Sequence, residues 1–130
     1  MGLRNNMRTE AQHQALFFKM ARVWLPELTR DLLWGNPSHG RQTPGQCAKN
    51  KRQGLVAGIP DIFYAWARGG YHGLHIEMKR PKTETSRKGV LSAAQKEMID
   101  KLRNGGYRVE VCYGADEAMD VLRDYMLENH

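Results

Sequence analysis

Two acids and a lysine stand out in the stretch GLVAGIPDIFYAWARGGYHGLHIEMKRPK, which runs from Gly54 to Lys82. They are Asp61, directly after Pro60, and Glu77 and Lys79, which flank Met78. In a β-strand, residues two apart share a face. Glu77 and Lys79 therefore point one way, and Ile76 and Met78 the other. A hairpin of this length brings the Asp61 carboxylate beside that of Glu77. Two carboxylates held close repel each other unless something neutralises them. A divalent cation does so, and oxygen ligands suit magnesium or manganese. A lysine beside such an ion can hold or deprotonate a water that attacks phosphorus. The ion offsets charge growing on the phosphate oxygens. A plainer reading fits the same three residues: Glu77 and Lys79 pair with each other, or with Asp61, as a salt bridge at a sheet edge.

The elements that must position these groups are legible from spacing and caps. Thr9 opens a helix, with Gln12 completing a capping box. Leu16, Phe17, Met20, Ala21 and Trp24 form its apolar stripe, and Pro26 closes it. Glu10 and Gln14 lie on one face, which continues to Phe17 and Ala21. That places Glu10 at the edge of the buried stripe, aimed inward. LTRDLLWGNP reads as a short strand entering a turn at Gly35-Asn36-Pro37. Thr43-Pro44 can start a short helix that Gly54 stops. DIFYAWA and LHIEMK, joined through the glycines of ARGGYHG, read as an antiparallel hairpin. Residues 80 to 91 form a basic loop. Ser92 caps the next helix with Gln95 at the capping-box position, and Gly105-Gly106 ends it. YRVEVCY reads as a strand that can lie parallel to its predecessor through a right-handed helical crossover. A helix over about 116–127 buries Ala118, Val121, Leu122, Tyr125 and Met126. The order α-β-(α)-β-β-α-β-α is that of a mixed sheet flanked by helices.

Length and composition narrow the classes. The 130 residues, 41% hydrophobic, suit one domain with one core. No run of about 20 apolar residues is present, so no membrane span is expected. The first residues lack the apolar centre of a secretory signal. Cys47 and Cys112 are too few for a disulfide framework or a structural zinc site, and they fit a reducing cytoplasm. Net charge is +6, from 20 basic and 14 acidic residues. KNKR, from Lys49 to Arg52, and KRPKTETSRKG are strongly basic, whereas the segment after Ala115 is acidic. Such asymmetry points to a polyanion on one face. Arg41, Lys49, Lys51 and Arg52 before the hairpin's second strand, and Lys82, Arg87 and Lys88 after it, can grip phosphates without reading bases. The same residues also fit a solvated surface. His72 and His75 are too scattered for a zinc site, and they, His13, His39 and His130 read as surface or packing residues, with substrate contact as a second reading for His39 in its polar loop. Trp24, Trp34 and Trp66 sit in apolar runs and are expected in the core, with base stacking as their second reading.

The joint pattern GIPD, then GLHIEMK, then SAAQ, then GYRVEV resembles the VRR-NUC branch of the PD-(D/E)XK nuclease superfamily. The likeness runs from Glu10 to about Tyr125, and the joint pattern is far more specific than a bare P-D and E-x-K. It implies a restriction-endonuclease-like α/β core: a mixed central sheet flanked by helices, in the order α-β-β-β-α-β with a C-terminal helix, as one domain over residues 1–130. It implies metal-dependent phosphodiester hydrolysis with Mg²⁺ or Mn²⁺ and no organic cofactor. Carried over by position, Asp61 and Glu77 are the metal carboxylates and the Met78 carbonyl a further ligand. Lys79 is the catalytic lysine, Glu10 the first-helix acid that helps hold metal, and Gln95 the glutamine that orients lysine or water. Gln14 can support Glu10. Every catalytic position of the family is filled. Isolated single-domain members resemble phage-type nucleases that act as homodimers on branched DNA such as four-way junctions, and this chain has no room for a further DNA-reading domain. The alternative from another class is a non-catalytic DNA-binding module whose acids form structural salt bridges.

Overall fold

The first helix, α1 (Glu10–Trp24), starts as its cap requires. In a computed structural model that describes residues 8–37, 43–83 and 88–127, the Thr9 hydroxyl accepts from the Gln12 amide and the Gln12 side chain accepts from the Thr9 amide. His13, Phe17 and Ala21 form its buried stripe. The next segment departs from the sequence reading. Glu27–Arg30 is a single helical turn, α2, and only Leu33–Gly35 forms the strand β1. The cause is tertiary: Thr29 is buried, and its hydroxyl accepts a 2.7 Å hydrogen bond from the Tyr64 phenol.

Helix α3 (Pro44–Arg52) has the expected capping box, Thr43 with Gln46, and Gly54 follows it with φ +83°. None of its residues is buried. Strand β2 (Ile62–Tyr64) is shorter than DIFYAWA suggests. After Ala65, whose amide donates to the Leu32 carbonyl, the chain turns away, and the Trp66 carbonyl accepts from the Tyr125 phenol. Strand β3 (Leu74–Lys79) is buried at all six positions. Helix α4 (Ala93–Asn104) carries the expected capping box, Ser92 with Gln95. Strand β4 (Arg108–Tyr113) and helix α5 (Ala115–Leu127) complete the fold.

The sheet order is β1-β2-β3-β4. The first two pairings are antiparallel and β3/β4 is parallel, as the helical crossover demands. One sheet face presents Leu33, Ile62, Tyr64, Leu74, Ile76 and Met78 to α1 and α5 in a single apolar cluster. That cluster also holds Phe17, Ala21, Met119 and Leu122, each nearly or wholly inaccessible to water. The other face carries Trp34, Phe63, His75, Glu77 and Lys79, since these alternate with the core positions. Helix α4 packs on β4, and Ile99 and Val109 are buried outside the main cluster.

Candidate active site

The register of β2 and β3 builds the site. Ile62 lies opposite Ile76, so Asp61, one residue before β2, comes across from Glu77. Asp61 is tied down from two directions. Its Oδ2 accepts from the Met78 amide at 2.8 Å, and its backbone carbonyl accepts from the Asn36 amide at 2.7 Å. The Asn36 side chain donates to the Pro60 carbonyl at 2.9 Å, which fixes the Pro-Asp entry.

Glu77 is 1% exposed. Its Oε1 accepts a 3.0 Å hydrogen bond from Gln95 Nε2 and lies 3.8 Å from Lys79 Nζ. The Gln95 amide is oriented by its own cap, because its Oε1 accepts from the Ser92 amide at 2.8 Å. One side chain therefore both starts α4 and holds the acid. The other oxygen, Glu77 Oε2, is buried and no donor group reaches it, while the protonated acid can hydrogen-bond to the Asp61 carboxylate. Burial first, then the neighbouring Asp61 carboxylate, pushes the Glu77 carboxyl up to about 9, with Lys79 pulling the other way. The site thus strongly resists a lone negative charge on Glu77.

A cleft of about 330 Å³ opens over these groups, lined by Glu10, Pro37, Gly58, Asp61, Glu77 and Gln95 among others. Glu10 does reach this cleft, but from an exposed position at its mouth rather than turned into the protein as its helical face suggested. A first-turn residue has little helix above it to bury it. Gly58 brings the loop hard against α4: a Cβ there would lie 2.4 Å from the Ala94 carbonyl oxygen, and its φ is +84°.

The sequence profile of the VRR-NUC domain matches residues 5–116. The chain belongs to the VRR-NUC family. A solved structure described as a VRR_NUC domain protein is 32% identical to it, covers 92% of this chain and 88% of its own, and superposes with a TM-score of 0.75. No curated protein matches it. The VRR-NUC domain is a nuclease domain, with DNA as its implied substrate.

The VRR-NUC carboxylate pair suits a hard divalent cation. Its donors are oxygens, and one of them is an orphaned, buried atom. The Met78 amide points to the Asp61 side of β3, and in an extended strand the same residue's carbonyl leaves on that side too. Among the described residues no three His, Cys, Asp or Glu side chains gather closely enough to form a complete ligand set. A cation held here would need backbone oxygen or water beside the two carboxylates.

The basic residues divide by place. Lys49, Lys51 and Arg52 stand exposed on α3, and its loop returns past Asn36 and Pro37 through Gly54, Leu55 and Val56. Lys82 is exposed beyond β3, and Lys88 Nζ lies 3.9 Å from the centre of the Tyr113 ring. Arg41 and Arg87, like His39 and His130, fall outside the described residues. A larger cavity, about 510 Å³, lies at the opposite end of the sheet between Tyr71, Tyr107, Arg108 and Asp124. Its charges answer one another, with Arg108 2.6 Å from Asp124 and 3.5 Å from Glu110.

Sequence reasoning missed Asn36, Pro37 and Gly58 as supports of the site. The GxPD motif held the signal for Gly58, since a glycine two residues before a fixed Pro-Asp marks a close backbone approach. The tryptophan expectation needs correction at one position. Trp24 and Trp66 pack against the core, but Trp34 is 42% exposed, because it lies on the sheet face away from α1 and α5.

Proposed function

We propose that this VRR-NUC chain is a Mg²⁺- or Mn²⁺-dependent DNA endonuclease that cuts branched DNA, such as a four-way junction, as a homodimer. The observation that carries the reading is the buried Glu77 carboxyl pressed beside the Asp61 carboxylate, with no donor group reaching its Oε2. Asp61, Glu77 and the Met78 carbonyl would hold the ion, with Glu10 assisting at the cleft mouth, directly or through water. When bound, the ion neutralises the carboxylates and draws charge from the scissile phosphate.

The chain's own residues do the remainder. Gln95 fixes the Glu77 carboxylate through its amide donor. Lys79 Nζ, on the same strand face as Glu77, would hold the attacking water, whose proton passes to bulk solvent as the new phosphorus–oxygen bond forms. The old phosphorus–oxygen bond breaks, and the leaving oxygen takes up a proton. Lys49, Lys51, Arg52, Lys82 and Lys88, together with Arg41 and Arg87, hold backbone phosphates and set the register of the duplex arms. Two copies related by a two-fold axis present two such sites to two strands, as symmetric junction cleavage requires.

The test is a panel of labelled four-way junctions, flaps and plain duplexes, with and without Mg²⁺, with Lys79→Ala as control. Metal-dependent cutting of branched substrates by the wild type alone is expected. Equal cutting by both proteins, or none by either with any divalent ion, sinks the proposal. Sedimentation at assay concentration should give a dimer, and a species of monomer mass alone argues against that part.

The contact between Lys79 and Glu77 favours a second reading, a DNA-binding module with a structural salt bridge. At 3.8 Å it is too long for a hydrogen bond, and it leaves Glu77 Oε2 unsatisfied. Metal-ion calorimetry separates the two: only the nuclease reading loses a binding site in Glu77→Ala.

A further inference from the structure

The sheet face that carries Glu77 and Lys79 also carries an aromatic run that the hydrolytic chemistry does not use. The Phe63 ring stacks on His75 with centroids 4.3 Å apart and nearly parallel planes. Tyr107 packs edge-on against both, at 6.0 and 5.3 Å. Trp34 closes the row at the sheet's edge strand, edge-on to Phe63 at 5.3 Å. Gly73 leaves room for the Phe63 ring, since a Cβ there would come within 2.9 Å of it. Phe63 is part-buried and His75 is buried, whereas 42% of Trp34 is open to solvent.

We infer that Trp34 is a stacking platform for an unpaired nucleobase of the DNA strand being cut. This rests on the nuclease reading above and adds a substrate contact to it. Three observations choose a nucleobase over other occupants. First, Trp34 shares the catalytic face: it is two strands across and two residues along from Glu77, about 12 Å by strand spacing and rise. A few nucleotides of single strand cover that span. Second, the platform is continuous with the cleft. The segment from Trp34 runs through Asn36, which bonds the Pro60 and Asp61 carbonyls, to Pro37 in the cleft wall. Third, the cationic helix α3, with Lys49, Lys51 and Arg52 and no acidic residue, leads back past the same Asn36-Pro37 segment. An apolar ring bordered by phosphate-binding charge is the pairing that single-stranded nucleic acid requires. A paired base hides its faces within the duplex, so this platform selects DNA in which stacking is already broken. That is one physical source for a preference for branches over plain duplex.

The test separates binding from cutting by using the Lys79→Ala background. Affinity is measured for a labelled four-way junction, a flap, a short oligo(dT) and a plain duplex. Adding Trp34→Ala should weaken oligo(dT), flap and junction binding by about 5- to 100-fold, as loss of one stacked base does, and leave the duplex unchanged. Trp34→Phe should restore most of the affinity. In a Trp24→Phe, Trp66→Phe protein, emission from Trp34 should be quenched by oligo(dT) and not by duplex. A Trp34→Ala protein that binds every DNA as tightly as its Lys79→Ala parent, or equal quenching by duplex, overturns the inference. So does a Trp34→Ala protein that turns from dimer to monomer in sedimentation without loss of oligo(dT) affinity, which makes Trp34 an interface between copies. The two readings fail apart. If the wild type cuts branched DNA and Trp34→Ala changes no affinity, the platform is wrong and the nuclease stands. If Trp34 stacks on oligo(dT) and no divalent ion supports cutting, the nuclease reading is wrong.

Discussion

Glu77 concentrates the physics of this molecule in one carboxyl group. It is buried, it faces a second carboxylate, and no donor group reaches one of its oxygens. A pH dependence follows for the metal-free protein. The unfolded chain releases this proton near 4.5, while the folded chain retains it up to about 9. Between those values the native state binds one proton more than the unfolded state, so stability falls as pH rises through that window. Melting in chelator from about pH 5 to about pH 9 should show a declining Tm, moving about 4 °C for each 1 kcal/mol. Glu77→Gln should flatten the decline, and so should saturating Mg²⁺ if the ion takes the place of the proton. A wild-type profile no steeper than that of Glu77→Gln refutes the assignment. Lys79→Ala belongs to the same scale. Single-turnover cutting of a junction should fall about 10²- to 10⁴-fold, with DNA affinity unchanged.

At the scale of elements, the site is a clamp between one strand and one helix start. The α4 capping box holds Gln95, and Gln95 holds Glu77. Ser92→Ala should cost about 1 kcal/mol in the helix, because the Gln95 amide loses the Ser92 hydroxyl as its acceptor, and should leave the cutting rate of the folded protein nearly unchanged, because the Gln95 side chain keeps its bond to the Ser92 backbone amide. Gly58→Ala tests the other side of the clamp. Its positive φ and the 2.4 Å approach to the Ala94 carbonyl leave no room for a methyl group. Destabilisation of about 1–3 kcal/mol is expected, with a loss of cutting larger than the lost folded fraction explains. Thermal melts and single-turnover rates on the same samples check both variants. The capping boxes at Thr9, Thr43 and Ser92 were legible as sequence, since each acts across three residues. The turn at Glu27–Arg30 was not, because a buried Thr29 bonded to Tyr64, 35 residues away, sets its shape.

For the whole molecule, the core lies on one sheet face and the chemistry on the other. Tyr125 and Tyr64 anchor the core side, through the Trp66 carbonyl and Thr29 respectively. Cys112 sits within that core, and burial pushes its thiol up to about 12, whereas Cys47 lies exposed on α3. A thiol reagent at neutral pH should label Cys47 quickly and Cys112 only as the domain opens globally. Counting labelled sites against time by mass spectrometry checks this, and fast double labelling would contradict the observed packing. Among the described residues no helix is long and apolar enough to cross a membrane.

The sequence alone determined the order of the helices and strands apart from the turn at Glu27–Arg30, the hairpin, the parallel return strand and the chemical type of the acid–acid–lysine set. These depend on caps, alternation and turn residues, which act over a few neighbours along the chain. Tertiary structure decided how deeply Glu77 is buried, that Gln95 donates to it, that Glu10 stands at the cleft mouth, and that Trp34 faces water. Each of these depends on which surfaces meet across the sheet. Strand alternation tells which residues share a face, but only packing tells which face is covered.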